Sequence, residues 1–341
     1  MAVDDSTLGQ PPRGAAQPEP KGRGRTVLGT LLKLAFAVAL LWLVLQRVDL
    51  ASAWERTARQ DYWLVLVSYS VCLTQVGFGG VRWLIAMRAL GARPPFGETL
   101  KFYYVSIFFN AWVPGGIGGD VMRAWLSYRA RISGRIAVTS VILDRLAVLV
   151  GIAVLVLVTT PSFLAKAGYS LIAVLPIALS MVGLVGLVLV TFLRKLPENW
   201  LRFRLLRVLR DFGHDVRTVF LRPLNVVPLI LVAIASQAAL GIATYAMAAS
   251  LDIDVSLVEC IVLMQPVALV ANLPITVGGW GVREAAMIAF FGLVGVPAAA
   301  SLALSVQLGL LLLAIALPGG LLWLFMKPSV PPPGQATGPV N

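Results

Sequence analysis

Asn110-Ala-Trp-Val-Pro114-Gly115-Gly116-Ile-Gly118-Gly119-Asp120-Val-Met-Arg123 and Asn272-Leu-Pro274-Ile-Thr-Val-Gly278-Gly279-Trp-Gly281-Val-Arg283-Glu284 follow one plan. In each, an apolar run breaks at an Asn, a Pro and a glycine cluster, then opens onto charge. Backbone that leaves a helix inside a bilayer finds no water to bond, so it survives only where protein or a cavity encloses it. Two such breaks at matching places in two halves predict a duplicated membrane unit with its central site at the breaks.

The rest of the chain sets these breaks in a bilayer. Residues are 58% hydrophobic and 13% charged, and uninterrupted apolar runs such as 169–193 and 224–250 are long enough to span a membrane. We therefore expect an all-α polytopic membrane protein: about six full transmembrane helices plus two re-entrant helical hairpins, arranged as an inverted repeat. With 341 residues and little outside the spans, a second folded soluble domain has no room, and we expect no enzyme. Cys72 and Cys260 lie in apolar segments, and His214 is the sole histidine, so no disulfide framework, metal site or cofactor is expected.

Residues 1–25 are rich in Pro, Gly and charge, and Lys21, Arg23 and Arg25 stand before the apolar run 27–46, as at a signal anchor. No small-residue cleavage site closes that run, so 26–61 is expected to be a retained first helix with its external connector. Residues 328–341 form a Pro-rich tail without core-forming content. Both ends are expected to be disordered and cytoplasmic, in an inner or plasma membrane.

Basic residues mark the cytoplasmic ends of spans. With the N-terminus inside, 21 of the 28 fall in cytoplasmic segments, including those from Arg82 to Lys101, from Arg123 to Arg135 and from Arg194 to Arg222. Arg93 and Arg123 can share a side only if the chain between them turns back. Residues 98–113 make about 24 Å of helix, short of a core of roughly 30 Å. Repeat 1 is thus assigned to 62–160 with its hairpin at 98–131, and 161–193 is a connecting helix. Repeat 2 takes 223–327 with its hairpin at 257–295. That second hairpin rests on the repeat and on Pro266 and Pro274, because 257–277 is itself long enough to cross. Counting 26 residues from Gly118 reaches Asp144, and 26 from Gly281 reaches Gln307, both polar positions in apolar helices.

Successive glycines let backbone N–H groups converge on an anion, and a helix starting near Gly119 points its positive end the same way, with Arg123 one turn on. A lipid phosphate suits such a tip, and Gly278, Gly279, Gly281 and Arg283 repeat the offer. Close helix packing explains the same glycines. Asp120 and Glu284 stand where carboxylates cap a helix start, and ion pairing or proton carriage are the alternatives. Asp144 and Arg145 point about 100° apart on one helix, so each needs a partner elsewhere. Asn110 and Asn272 are placed to tie down the broken backbone or to touch substrate.

The two glycine stretches, together with Leu-Asp144-Arg145-Leu in the following helix, resemble the lysylphosphatidylglycerol synthase transmembrane region, or flippase-like, family. The resemblance covers most of the chain and implies a lipid-translocating unit of the stand-alone kind, without an aminoacyl-transferase domain. Stand-alone members are linked to moving other lipids, including polyprenyl-linked glycans and hopanoids. This sequence departs from a symmetric pattern in having Gln307-Leu308 where the repeat would place a second Asp-Arg pair.

Residues 194–222 are basic, and within them Leu201, Leu205, Val208, Phe212, Val216 and Val219 form a helical stripe, as on an interfacial helix. A nucleic-acid role for the net charge of +12 fails, because the cations are distributed by membrane side. Expected partners are membrane lipids with an anionic headgroup, a second copy of the chain, or a lipid-biosynthetic enzyme. The expected activity is movement of a phospholipid or polyprenyl-linked lipid by alternating access at the two tips. The alternatives are a proton-coupled small-anion transporter and a non-catalytic subunit of a lipid-modifying system.

Overall fold

A computed structural model describes residues 58–112, 117–167, 171–192, 204–271 and 279–326. The segments assigned to 1–25 and 328–341, nearly all of 26–61, and residues 194–203 lie outside the described residues. So do Pro114, Gly115, Gly116, Asn272, Pro274 and Gly278. The described residues form ten α-helices: α1 Tyr62–Ala89, α2 Phe96–Trp112, α3 Gly118–Arg129, α4 Gly134–Ala167, α5 Leu171–Phe192, α6 Arg204–Phe220, α7 Pro223–Ser250, α8 Leu257–Ala271, α9 Val282–Gly292 and α10 Ala298–Phe325.

Four of them, α1, α4, α7 and α10, are long and apolar enough to cross a bilayer. The protein is therefore a multi-pass membrane protein. By contrast α2 has 17 residues and α8 has 15, about 26 and 22 Å of helix, which is short of a hydrocarbon core of roughly 30 Å. Each of these short helices packs on the one that follows it, α2 on α3 and α8 on α9.

Local signals set several starts. The Asp61 carboxylate accepts from Trp63 N–H at 2.9 Å to cap α1, and Pro223 at the first turn of α7 needs no N–H partner there. Gly281 caps the start of α9 with a left-handed φ of 83°, and the Glu284 carboxylate accepts the Gly281 N–H.

The helices fall into two runs of four with matching order and spacing. Tyr62 and Pro223, which open α1 and α7, are 161 residues apart, as are Phe96 and Leu257, which open α2 and α8. Gly118 and Val282, which open α3 and α9, are 164 apart, as are Gly134 and Ala298, which open α4 and α10. Contacts exchange between the runs: α2 packs on α10 and α8 on α4, while the most extensive helix contact joins α1 to α7. That pair is antiparallel. Asp61 N–H donates to the Ser250 carbonyl at 3.0 Å, Ser68 Oγ to the Ala243 carbonyl at 2.8 Å, and Gln75 Nε2 to the Ser236 carbonyl at 3.4 Å. The steps of seven residues keep one face of α1 on one face of α7.

Two expectations change. The described part of the basic segment is α6, and its stripe does not lie simply on lipid: Phe212, Val216 and Val219 pack against Ala86, Leu143 and Leu229 of the bundle, with Arg135 paired to Asp215 at 2.9 Å. The C-terminal part of the apolar face buries against protein, while Val208 stays exposed. Arg82 and Arg123, counted as loop charges, are 3% and 2% exposed and belong to the interior.

Candidate functional site

Asp144 sits in α4 at 1% exposure, so its charge has no water to lean on. Two guanidinium groups replace it: Arg82 Nε from α1 donates to Oδ1 at 2.6 Å and Arg123 Nη1 from α3 donates to Oδ2 at 2.7 Å. Arg123 also donates through Nη2 to Asp120 Oδ1 at 3.0 Å. Arg145 donates to both Asp120 oxygens, at 3.0 Å from Nε and 3.1 Å from Nη2. The charges alternate as Arg82, Asp144, Arg123, Asp120, Arg145, which leaves one positive charge in excess. Because Asp144 and Arg145 project in different directions from α4, they complete different pairs, and the chain of charges fastens α1, α3 and α4 together. Arg123 is further held between the Trp83 and Tyr103 rings, 5.2 and 5.5 Å from their centroids.

The second run answers with a smaller cluster. Arg283 Nη2 donates to Glu284 Oε1 at 2.8 Å, Ser305 Oγ donates to the same oxygen at 3.2 Å, and Arg283 lies 4.6 Å from the Trp280 ring centroid. Under the spacing of 164, Asp120 matches Glu284 and Arg145 matches Gly309. Gly309 is where a side chain is missing for a reason: an added Cβ would lie 2.1 Å from Arg283 Nη2. The guanidinium that serves the second carboxylate thus arrives from α9, through space that glycine leaves open on α10. The same spacing sets Leu308, not Gln307, level with Asp144.

The glycine stretches divide between packing and turning. A Cβ on Gly119 would stand 1.9 Å from the Ser106 carbonyl oxygen, and its N–H donates to Asn110 Oδ1 at 2.9 Å. Gly119 therefore lets α3 approach α2, and Asn110 ties the break down. This corrects the expectation of a free Gly119 amide for an anion. Gly279 and Gly281 have φ of 77° and 83°, which L side chains rarely adopt. Asp120 does not cap α3 either, because its carboxylate faces Arg123 and Arg145. Gly118 opens α3 beside these groups.

Between the two runs lies a cavity of about 330 Å³. Arg82, Arg145 and Arg283 line it, with Gln75, Asn110, Ser236, Gln237, Gly279 and Trp280, while Ile107, Val148, Leu312 and Ile315 give it an apolar wall. No Asp or Glu lines it among the described residues. Asp144, Asp120 and Glu284 bond to Arg82, Arg145 and Arg283, so these acids set the lining arginines in place. Arg145 is the most open of the three, its side chain 38% exposed against 4% for Arg82 and 9% for Arg283. Among the described residues, no group of three or more His, Cys, Asp or Glu is gathered to hold a metal ion.

Of the residues expected from sequence, the cavity brings together Asn110, Arg145, Gly279 and Arg283. Sequence reasoning missed Arg82, Gln75, Gln237 and Trp280. For Arg82 the signal was present, since it stands seven residues inside the end of α1 in an apolar stretch, where a charge needs a partner.

Residues 30–320 match the profile of the Lysylphosphatidylglycerol synthase TM region. Comparison with curated proteins gives no match.

Proposed function

We propose that this chain, which belongs to the lysylphosphatidylglycerol synthase TM region family, moves a lipid with an anionic headgroup across the membrane. One observation carries the reading: among the described residues, three arginines and no carboxylate line a central cavity between the two four-helix runs. A phosphate brought there exchanges water for charge-assisted hydrogen bonds, and Arg145, the most open, meets it first. A space of about 330 Å³ accepts a headgroup and leaves acyl chains to the bilayer.

The two runs act as an inverted repeat with a re-entrant hairpin in each. The matching helix spacings, the antiparallel crossing of α1 and α7, and the exchange of α2 and α8 onto the other run's last helix support this. The short lengths of α2 and α8 support hairpins that enter and return. Rocking of one run against the other exposes the cavity to each side in turn. The chain works as a carrier and not as an enzyme, in an inner or plasma membrane with both termini cytoplasmic. Its substrate is a phospholipid or a polyprenyl-phosphate-linked lipid, and a second copy or a lipid-biosynthetic enzyme is its protein partner.

The cavity volume also suits a small free anion, which is the rival reading. Labelled lipids in proteoliposomes separate the two: protein-dependent change in headgroup accessibility supports the lipid, whereas uptake of a small anion without lipid movement supports the rival.

A further inference from the structure

We infer that a groove between α2, α3 and the end of α10 holds one phospholipid with an anionic headgroup, at a site separate from the central cavity. The groove measures about 710 Å³ and shares no lining residue with that cavity. Its floor is apolar, built by Phe102 and Leu126, both 7% exposed. Its walls are indoles that stand open: Trp125 is 45% exposed and Trp323 is 40% exposed. Lys101 and Arg129 form the rim with Glu98, and the Arg129 guanidinium lies 4.7 Å from the Trp125 ring centroid.

An apolar floor, indole walls and a cationic rim together match the boundary between acyl chains and headgroups, where Trp and long basic side chains keep their stems in hydrocarbon and their polar ends in water. A neighbouring recess that shares Glu98 and Ala130 with the groove adds Arg93 and Arg131, so among the described residues four cations and one carboxylate line the two. That balance selects an anionic headgroup over a zwitterionic one. The rival occupant is the chain itself, since residues 327–341 follow Met326 at the groove's lip. Lys327 is the single charged side chain in that segment, which therefore brings no carboxylate side chain to the rim. The assignment needs a membrane and not translocation, so it stands or falls apart from the function proposed above.

The test is tryptophan fluorescence of the full chain in phosphatidylcholine vesicles titrated with brominated phosphatidylglycerol or brominated phosphatidylcholine. The component lost in Trp125→Phe with Trp323→Phe should be quenched by the anionic lipid at about fivefold lower mole fraction. Lys101→Gln with Arg129→Gln should bring that ratio towards one, Lys101→Arg with Arg129→Lys should keep it, and Arg145→Gln with Arg283→Gln should leave it unchanged. Equal quenching by both lipids in the wild type overturns the inference, as does a preference that survives Lys101→Gln with Arg129→Gln. Quenching that emerges only after removal of residues 328–341 gives the groove to the tail and also overturns it.

Discussion

Gln75 and Ser236 hold equivalent places in the two four-helix runs, 161 residues apart, and they touch: Gln75 Nε2 donates to the Ser236 carbonyl at 3.4 Å. An operation that exchanges two units keeps only the points on its axis fixed, so equivalent residues meet only beside that axis. The axis relating the proposed repeats therefore passes where α1 crosses α7, and both residues line the cavity. A ligand on such an axis is offered related surroundings from either side, which is what alternating access asks of a site.

Asp144 should be the costliest single charge to lose. Asp144→Asn leaves Arg82 and Arg123 buried against a neutral group, which costs on the order of 3–5 kcal/mol. Thermal unfolding in detergent should show a large drop in midpoint. Replacing the trio together, as Arg82→Met, Arg123→Met and Asp144→Leu, should recover most of it, because no unpaired charge then remains.

Two glycines with similar crowding should fail in different ways. At Gly119 an added methyl meets the Ser106 carbonyl oxygen, which is backbone, so Gly119→Ala has to part α3 from α2 and should lower the yield of folded protein. At Gly309 it meets the end of the Arg283 side chain, which can swing aside. Gly309→Ala should unfold near the wild-type temperature while losing anion affinity, and parallel unfolding and binding curves would show the split.

Trp280 should report occupancy, since Arg283 lies over its ring and both line the cavity. Glycerol phosphate should change the emission of the wild type but not of Trp280→Phe. Arg145→Gln and Arg283→Gln should each weaken that response by about tenfold, or about 1.4 kcal/mol.

The fold was legible where the sequence breaks its own pattern. Asn, Pro and glycine clusters in apolar runs mark the ends of α2 and α8, and the oppositely charged neighbours Asp144 and Arg145 announce partners on other helices. What stayed hidden is tertiary. Asp120 looks like a cap until Arg145, 25 residues later, takes its carboxylate. The charge of Arg82 inside an apolar helix announces a partner, but only the fold shows that the partner is Asp144 of α4. Gly309 gives no sign at all, because its meaning lies in a guanidinium that arrives from another helix.

The most direct measurement is headgroup accessibility of labelled anionic lipids in proteoliposomes. It compares wild type with Arg145→Ala and Arg283→Ala at matched levels of folded protein, with Arg217→Ala on α6 as a control outside the cavity. Protein-dependent translocation should fall at least tenfold in both cavity variants and stay intact in the control. Translocation unaffected by either cavity variant would contradict the assignment of the site, and no movement of any anionic lipid would contradict the proposed function itself.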